Sequence, residues 1–320
     1  MPNPNITTSY VGESASKYIA SSLLSANTIE NGGVTVVPNI KYRQTMKIAD
    51  LDAGIVDASC EYATSGTTTL TERILQPKEL QSLQTLCLPE FRKDWDAVSM
   101  GYSVHDNLPP SFQEWLIAYV LGKIAAKTEI DIWNGVGTGA GAVNGEFDGL
   151  LPQIAAAVVA GEVPAAQVVP LVAGGLNAAN IITELGLLVD AVPDSTYSNE
   201  GAFIYMGISA YKLYTRSLGG FAANGQGANG FEGRGNNQSF DTGLMFDGMK
   251  IFCAHGMPKD KMLVTTVDNL FFGTGLMSDS QECTILDMRP TTGSQEARVI
   301  VRYTAGTTYG VGANITTYGI

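Results

Sequence analysis

The stretch PPSFQEWLIAYVLGKIAAKTEIDIWNG, from Pro109 to Gly135, is the most legible part of this chain. Pro109-Pro110 is followed by Ser111-Phe112-Gln113-Glu114. This is a capping box, in which the Ser111 hydroxyl accepts from the amide three residues on and Glu114 reaches back to the cap. Gly135 closes the stretch as a residue suited to a left-handed C-terminal cap. Between the two signals runs a helix of about 23 residues, or roughly 35 Å at about 1.5 Å per residue. That is about twice the length of a mean globular helix. Phe112, Trp115, Tyr119, Ala126, Ile130 and Trp133 fall on one stripe at helical spacing. A helix this long and this regular reads as the structural backbone of a domain.

Downstream comes a Gly-rich loop, Gly135 to Gly149, and then an Ala/Val-rich stretch, 152–173, which fits helix or strand equally. A second helix is signalled by Ala178, Ile181, Ile182, Leu185, Leu188, Val189 and Val192, with Pro193 as its stop. Ala202 to Met206 reads as a buried strand and Ser209 to Ser217 as a short helix, with a long loop from Leu218 to Asp241. Strands follow at Lys250–Ala254, Leu263–Thr266 and Asn269–Phe272. The end reads as a hairpin: Val299, Val301 and Tyr303 alternate with Arg298, Ile300 and Arg302, Ala305-Gly306 turns, and Tyr309 to Ile315 returns.

Upstream, residues 78–110 read as one strand (Leu80, Leu83, Leu86, Leu88) with irregular structure after it. Val34 to Pro77 alternates in strand fashion, with a turn at Asp52-Ala53-Gly54 and a return from Leu70 to Leu75. Its apolar content is thin, so it reads as a projecting hairpin that leans on something else, since an isolated hairpin is marginal in water. Residues 1–33 are small and polar, with one short helix near Ser16–Ser25 and a turn at Asn31-Gly32-Gly33. This arm cannot make a core of its own.

Composition removes several classes of function. The chain has 320 residues, 45% hydrophobic and 16% charged, which is ordinary for a folded protein. No run of about 18 apolar residues exists to span a membrane. The opening, Met1 to Tyr10, lacks the basic start and apolar core of a secretory signal. A formal net charge of −12, with no Lys/Arg-rich run, argues against a protein that grips nucleic acid through its phosphates. Cys60, Cys87, Cys253 and Cys283 lie far apart and form no Cys-x-x-Cys pair, so free thiols are expected rather than a disulfide framework.

Each candidate for chemistry is weak when weighed against a plain structural role. Gly225-Gln226-Gly227-Ala228-Asn229-Gly230 matches G-x-G-x-x-G, but Asn/Gly-rich loop flanks it where a strand and a helix are needed. Gly137-Thr138-Gly139-Ala140-Gly141 follows a helix and lacks the Gly-Lys-Ser/Thr ending of a phosphate loop. Cys253-Ala254-His255 puts two ligand types on one side of an extended strand, yet zinc needs three or four, and Cys283 or Cys87 would have to approach. His105 has no evident partner, and Asp94 and Asp96 around Trp95 read as solvated acids. No residue is singled out as catalytic, cofactor-binding or metal-ligating, and no cofactor is expected.

The order of elements is distinctive: arm, long polar hairpin, strand, one long capped helix, mixed α/β region, terminal strands. It resembles the major capsid family of tailed bacteriophages, with the α+β Hong Kong 97-type fold. Two phrases add to the resemblance. One is Leu70-Thr71-Glu72-Arg73-Ile74-Leu75-Gln76-Pro77-Lys78-Glu79-Leu80 leading to Cys87 and Phe91-Arg92-Lys93-Asp94-Trp95; the other is Asp268-Asn269-Leu270-Phe271-Phe272-Gly273-Thr274 with Ser278-Asp279. The resemblance implies an N-terminal arm at 1–33 and an extended loop at 34–77. It implies a peripheral domain at 78–175 and 284–320, with its spine helix at about 111–134, and an axial domain at 176–283. It implies a subunit that joins copies of itself as pentamers and hexamers in an icosahedral shell, with portal, scaffolding and head-decoration proteins as further partners. Packaged double-stranded DNA would then be a neighbour by non-specific proximity, no membrane would be involved, and assembly would occur in the host bacterial cytoplasm. No Lys–Asn crosslinking motif matches. An encapsulin-type compartment shares this fold, and a nucleotide-binding α/β enzyme using one Gly loop is the reading from another class.

Overall fold

The structure is a computed structural model that describes residues 27–52, 67–87, 110–218, 244–275, 283–288 and 292–320, with side chains at 49–52, 67–69, 110–119, 283–285 and 287 left aside. The expected helix near Ser16–Ser25, the residues after Asp52 in the hairpin turn, Cys60, Leu88, Phe91–Trp95, Asp96, His105, nearly all of the 218–241 loop with its Gly225–Gly230 motif, and Ser278-Asp279 lie outside the described residues.

The first described helix, α1, is the single turn Asn27–Glu30. The long helix α2 spans Pro110–Asn134, 25 residues. It starts at Pro110, so Ser111 lies inside the first turn and is not the cap. Proline suits that position because its missing N–H is one that no helical partner would satisfy. Gly135 is likewise not a left-handed cap, since it is absent from the glycines with positive φ. Its role is close approach: a Cβ there would stand 2.3 Å from the Phe147 carbonyl oxygen and 2.7 Å from that of Asp131. The single apolar stripe also fails at this end. Trp133 is buried but Ile130 is 42% exposed, while Glu129, Asp131 and Ile132 are all buried. The last turns of α2 are enclosed on several sides.

The ambiguous Ala/Val stretch resolves into helix α3, Leu150–Ala160, closed by the left-handed Gly161, and a two-residue strand β5, Val168–Val169. Helix α4, Ile181–Asp190, buries Ile181, Leu185, Leu188 and Val189 as its spacing predicts. Pro193 leads straight into the one-turn helix α5, Asp194–Tyr197. Strand β6, Ala202–Gly207, and helix α6, Ile208–Ser217, follow.

The strands before α2 are β1 (Thr35–Val37), β2 (Gln44–Asp52), β3 (Thr67–Leu75) and β4 (Lys78–Cys87). Those after α6 are β7 (Met245–Phe246), β8 (Met249–Ala254), β9 (Met262–Thr266), β10 (Leu270–Gly273), β11 (Cys283–Asp287), β12 (Glu296–Tyr309) and β13 (Thr316–Tyr318). They form a six-stranded sheet in the order β5-β13-β9-β6-β8-β7, a five-stranded sheet in which β12 pairs with β10, β11 and β4, and the separate β2–β3 hairpin.

The six-stranded sheet is covered on both faces, which explains its near-continuous apolar runs. Tyr205, Phe252, Ala254 and Leu263 point into one cluster with Trp133, Phe147 and α3. Ile204, Met206, Ile251 and Val264 point into the other with α4 and α6. The expected terminal hairpin is not formed. Ala305-Gly306 lies within β12, which runs 14 residues without a break. Gly306 serves close approach here too, since a Cβ would sit 2.9 Å from Pro77 Cα and 3.0 Å from the Gln76 carbonyl oxygen. One strand thereby spans β4 and β11 along its first part and β10 along its last.

Candidate assembly interface

Residues 27–33 are held in a socket at the C-terminal end of α2. Thr28 is fully buried, with its amide donating to Glu129 Oε2 at 3.0 Å and its hydroxyl to Glu129 Oε1 at 2.6 Å. Trp133 Nε1 donates to Thr28 Oγ1 at 2.9 Å, and the Gly256 amide reaches Glu129 Oε1 at 3.4 Å. Asn27 Nδ2 donates to the Cys253 carbonyl at 2.8 Å, and the Tyr205 hydroxyl to the Gly33 carbonyl at 2.8 Å. Burial pushes the Glu129 carboxyl above its ordinary value, against the pull of the Thr28, Gly256 and Trp133 donors. The sequence offered little to find this latch. Glu129 sits among Ile130, Ile132 and Trp133 at ordinary helical spacing, and its partner lies 101 residues away.

The β2–β3 hairpin pairs nine residues on each strand, Gln44↔Leu75 through Asp52↔Thr67. Its root packs on the body through Leu75 and Ile40, both buried and both against the position where Gly273 lacks a side chain. Arg73 completes the anchor: its guanidinium pairs with Glu162 at 2.6 Å and lies 4.3 Å from the centroid of the Tyr309 ring, whose hydroxyl donates to Glu162 Oε2 at 2.7 Å. Farther out the hairpin exposes apolar groups without covering them: Tyr42 is 69% exposed, Leu70 67% and Ile74 49%. The root therefore needs no neighbour, whereas the apolar groups beyond it are left for one.

Arg73→Ala is expected to lower stability by about 1 kcal/mol, the scale of a partly exposed ion pair with a ring contact. Arg73 is the first cause holding Glu162 below its ordinary 4.5. A lowered carboxyl contributes stability above 4.5 that is lost as pH falls through the folded value. The gap between wild type and Arg73→Ala in melting temperature should therefore close in acid. Hydrogen exchange should quicken along β2 and β3 in the variant at neutral pH.

The Gly-rich loop after α2 is internally saturated. The Gly137 and Thr138 amides donate to Asp148 Oδ1 at 3.1 and 2.9 Å, the Thr138 hydroxyl to Asp148 Oδ2 at 2.7 Å, and the Val136 amide to Glu146 Oε2 at 3.1 Å. A phosphate would have to displace these carboxylates, so the loop is no anion cradle. Lys127 joins it to α2, pairing with Asp131 at 2.8 Å and with Glu146. Lys127 sits above its ordinary value: burial pulls it down, and the two carboxylates outweigh that. An open cavity of about 440 Å³ lies between this loop and the hairpin root, lined by Ile74, Lys78, Phe147, Asp148 and Thr307 among others.

The Cys253/His255 idea fails on geometry. Strand β8 ends at Ala254, so His255 falls in the following turn rather than on the same side of an extended strand. Among the described residues no group of three His, Cys, Asp or Glu side chains could hold a metal, and no helix is long and apolar enough to cross a membrane.

No protein-family model and no curated protein matches the sequence. Solved structures do match. The chain is similar to the capsid protein of a native GTA particle, at 12% identity and TM-score 0.55, covering 99% of this chain and 94% of that one. It is similar to a protein of Mycobacterium phage Adephagia at 10% identity and TM-score 0.54, covering 92% and 89% of the two chains. It is similar to the capsid protein of Myoviridae phage XM1 at 13% identity and TM-score 0.52, covering 92% of each. The chain has the α+β fold of tailed-phage capsid proteins, the Hong Kong 97-type.

Proposed function

We propose that the chain is a major capsid protein, which joins copies of itself into the icosahedral shell around a phage genome. The observation that carries this reading is a match to a capsid subunit over 99% of this chain and 94% of that one. A match of that extent leaves little of either chain to house a different purpose. The exposed apolar groups of the hairpin support it, because they gain cover only from another molecule. In this reading residues 1–33 are the arm and 34–77 the extended loop, both lying on neighbours. Residues 78–175 and 284–320 form the peripheral domain around the spine helix, and 176–283 the axial domain at pentamer and hexamer centres. The native GTA capsid was computed with C5 symmetry, which supports a five-fold ring as one product. Portal, scaffolding and decoration proteins are the further partners, the virion is the destination, and the host cytoplasm is the place of assembly. An enzyme acting at the Gly135–Gly149 loop is disfavoured by its occupied amides.

The test is electron microscopy with mass photometry of the purified chain, expressed alone and with its neighbouring genes. Closed shells or rings of five and six are the expected products. A species that stays monomeric under every condition, above all one stabilised by a nucleotide, refutes the reading. Shells that enclose a protein cargo and no genome point instead to an encapsulin-type compartment.

A further inference from the structure

The register of β4, β11 and β12 places an unusual face on the surface. Residues directly opposite in antiparallel strands share a face. Ile300 lies opposite Leu83, Arg298 opposite Thr85 and Leu286, and Arg302 opposite Gln81. Leu83 is 59% exposed and Leu286 42%, and both arginines are exposed. The alternate residues Ala297, Val299 and Val301 are buried, so the sheet's inner face is already satisfied. The outer face is an apolar strip of Leu83, Ile300 and Leu286 between two arginines, neither of which takes part in an ion pair. Glu79, opposite Thr304, is the nearest acid in the register and lies beyond Arg302, at the edge of the face.

Resting on the shell reading, we infer that this face binds an acidic surface of a second copy of this chain. The chain carries 31 acidic against 19 basic residues, so any other face of a neighbour offers carboxylates in excess. Two unpaired arginines at an apolar strip match what interface centres favour, since arginine and large apolar groups are enriched there. The face cannot be its own complement, because two copies meeting through it would oppose arginine with arginine. The contact is therefore heterologous, joining this face to a different one on the next copy, and heterologous contacts of fixed rotation close into rings. The face covers on the order of 200 Å² from strand spacing and rise, well short of the roughly 800 Å² per partner of a stable interface. It acts alongside other contacts and sets register and orientation between copies.

The test compares wild type, Arg298→Glu/Arg302→Glu and Arg298→Lys/Arg302→Lys by mass photometry and electron microscopy. Circular dichroism and melting temperature serve to confirm that each variant is folded, as expected for exposed positions. The charge reversal should raise the subunit concentration needed for rings or shells tenfold or more, while the lysine pair stays within about threefold of wild type. Wild-type assembly should weaken with added salt more than that of the reversed variant. Reversed subunits that assemble like wild type overturn this inference and leave the shell reading standing, whereas a wild type that never assembles overturns both. Should the reversal fail to fold, Arg298→Gln/Arg302→Gln takes its place with the same expectations. Short duplex DNA bound by wild type and not by the reversal, with assembly unchanged, assigns the face to phosphate and overturns the inference as well.

Discussion

Gly256→Ala is expected to lower the stability of the chain by about 3 kcal/mol or more, the upper range for overpacking a close contact. For a chain of this size that is a fall of roughly 6 to 12 °C in melting temperature. A Cβ at Gly256 would stand 2.1 Å from the Glu129 carbonyl oxygen, 2.7 Å from its carbonyl carbon and 2.9 Å from Ile130 Cα. All three are backbone atoms of α2, so no side chain can rotate aside, and relief requires the β8–β9 connection to move away from the helix. Such a movement also stretches the Gly256 amide from Glu129 and loosens the seat of Thr28. Gly186→Ala is the control. It lies inside α4 with nothing within 4 Å of the added carbon, and should stabilise by about 0.5 to 1 kcal/mol through helix propensity alone. Calorimetry on the two variants checks both signs. Equal melting temperatures for Gly256→Ala and wild type would mean that the backbones do not meet as described.

The same contacts explain where the sequence was readable and where it was not. Helices α2 and α4 and strands β6, β8, β9 and β10 were legible because burial on one or two faces writes a period into the chain. Gly135, Gly256 and Gly306 were not legible in the same way. A glycine that admits a neighbouring backbone looks identical, in sequence, to one that turns the chain, so Gly135 read as a cap and Gly306 as a hairpin turn. The difference lies in partners such as Phe147, Glu129 and Pro77, which are distant along the chain or, for Gly135, across a loop. Of the assembly surfaces, the hairpin's thin apolar content could be read directly, and the exposed Leu70 and Ile74 agree with it. The arginine face could not. Arg298, Ile300 and Arg302 alternate plainly, but Leu83 and Leu286 join them only through a strand register that spans more than 200 residues between β4 and β12.

Glu129→Ala is expected to cost about 3 kcal/mol, because it leaves the Thr28 amide, the Thr28 hydroxyl and the Gly256 amide buried without their acceptor. The loss should appear locally as well as globally, with faster hydrogen exchange at the Thr28 amide and easier proteolysis ahead of Asn27. Glu129→Gln keeps one oxygen for Thr28 and should fall between the two. Its value lies in the pH dependence. Burial raises the folded Glu129 above its ordinary 4.5, so the folded state binds this proton more readily than the unfolded chain does. The stability that follows is fully present below 4.5 and is lost as pH rises through the folded value. The stability of wild type relative to Glu129→Gln should thus be greatest near pH 4 and decline toward neutrality. Glu146 and Glu162 act in the opposite sense, since Lys127 and Arg73 lower them and their contribution disappears in acid. Both remain in wild type and variant alike, so the difference between the two denaturation curves isolates Glu129. A difference that grows as pH rises would show that the donors around the carboxylate outweigh its desolvation, and that residues 27–33 are latched by a charge rather than in spite of one.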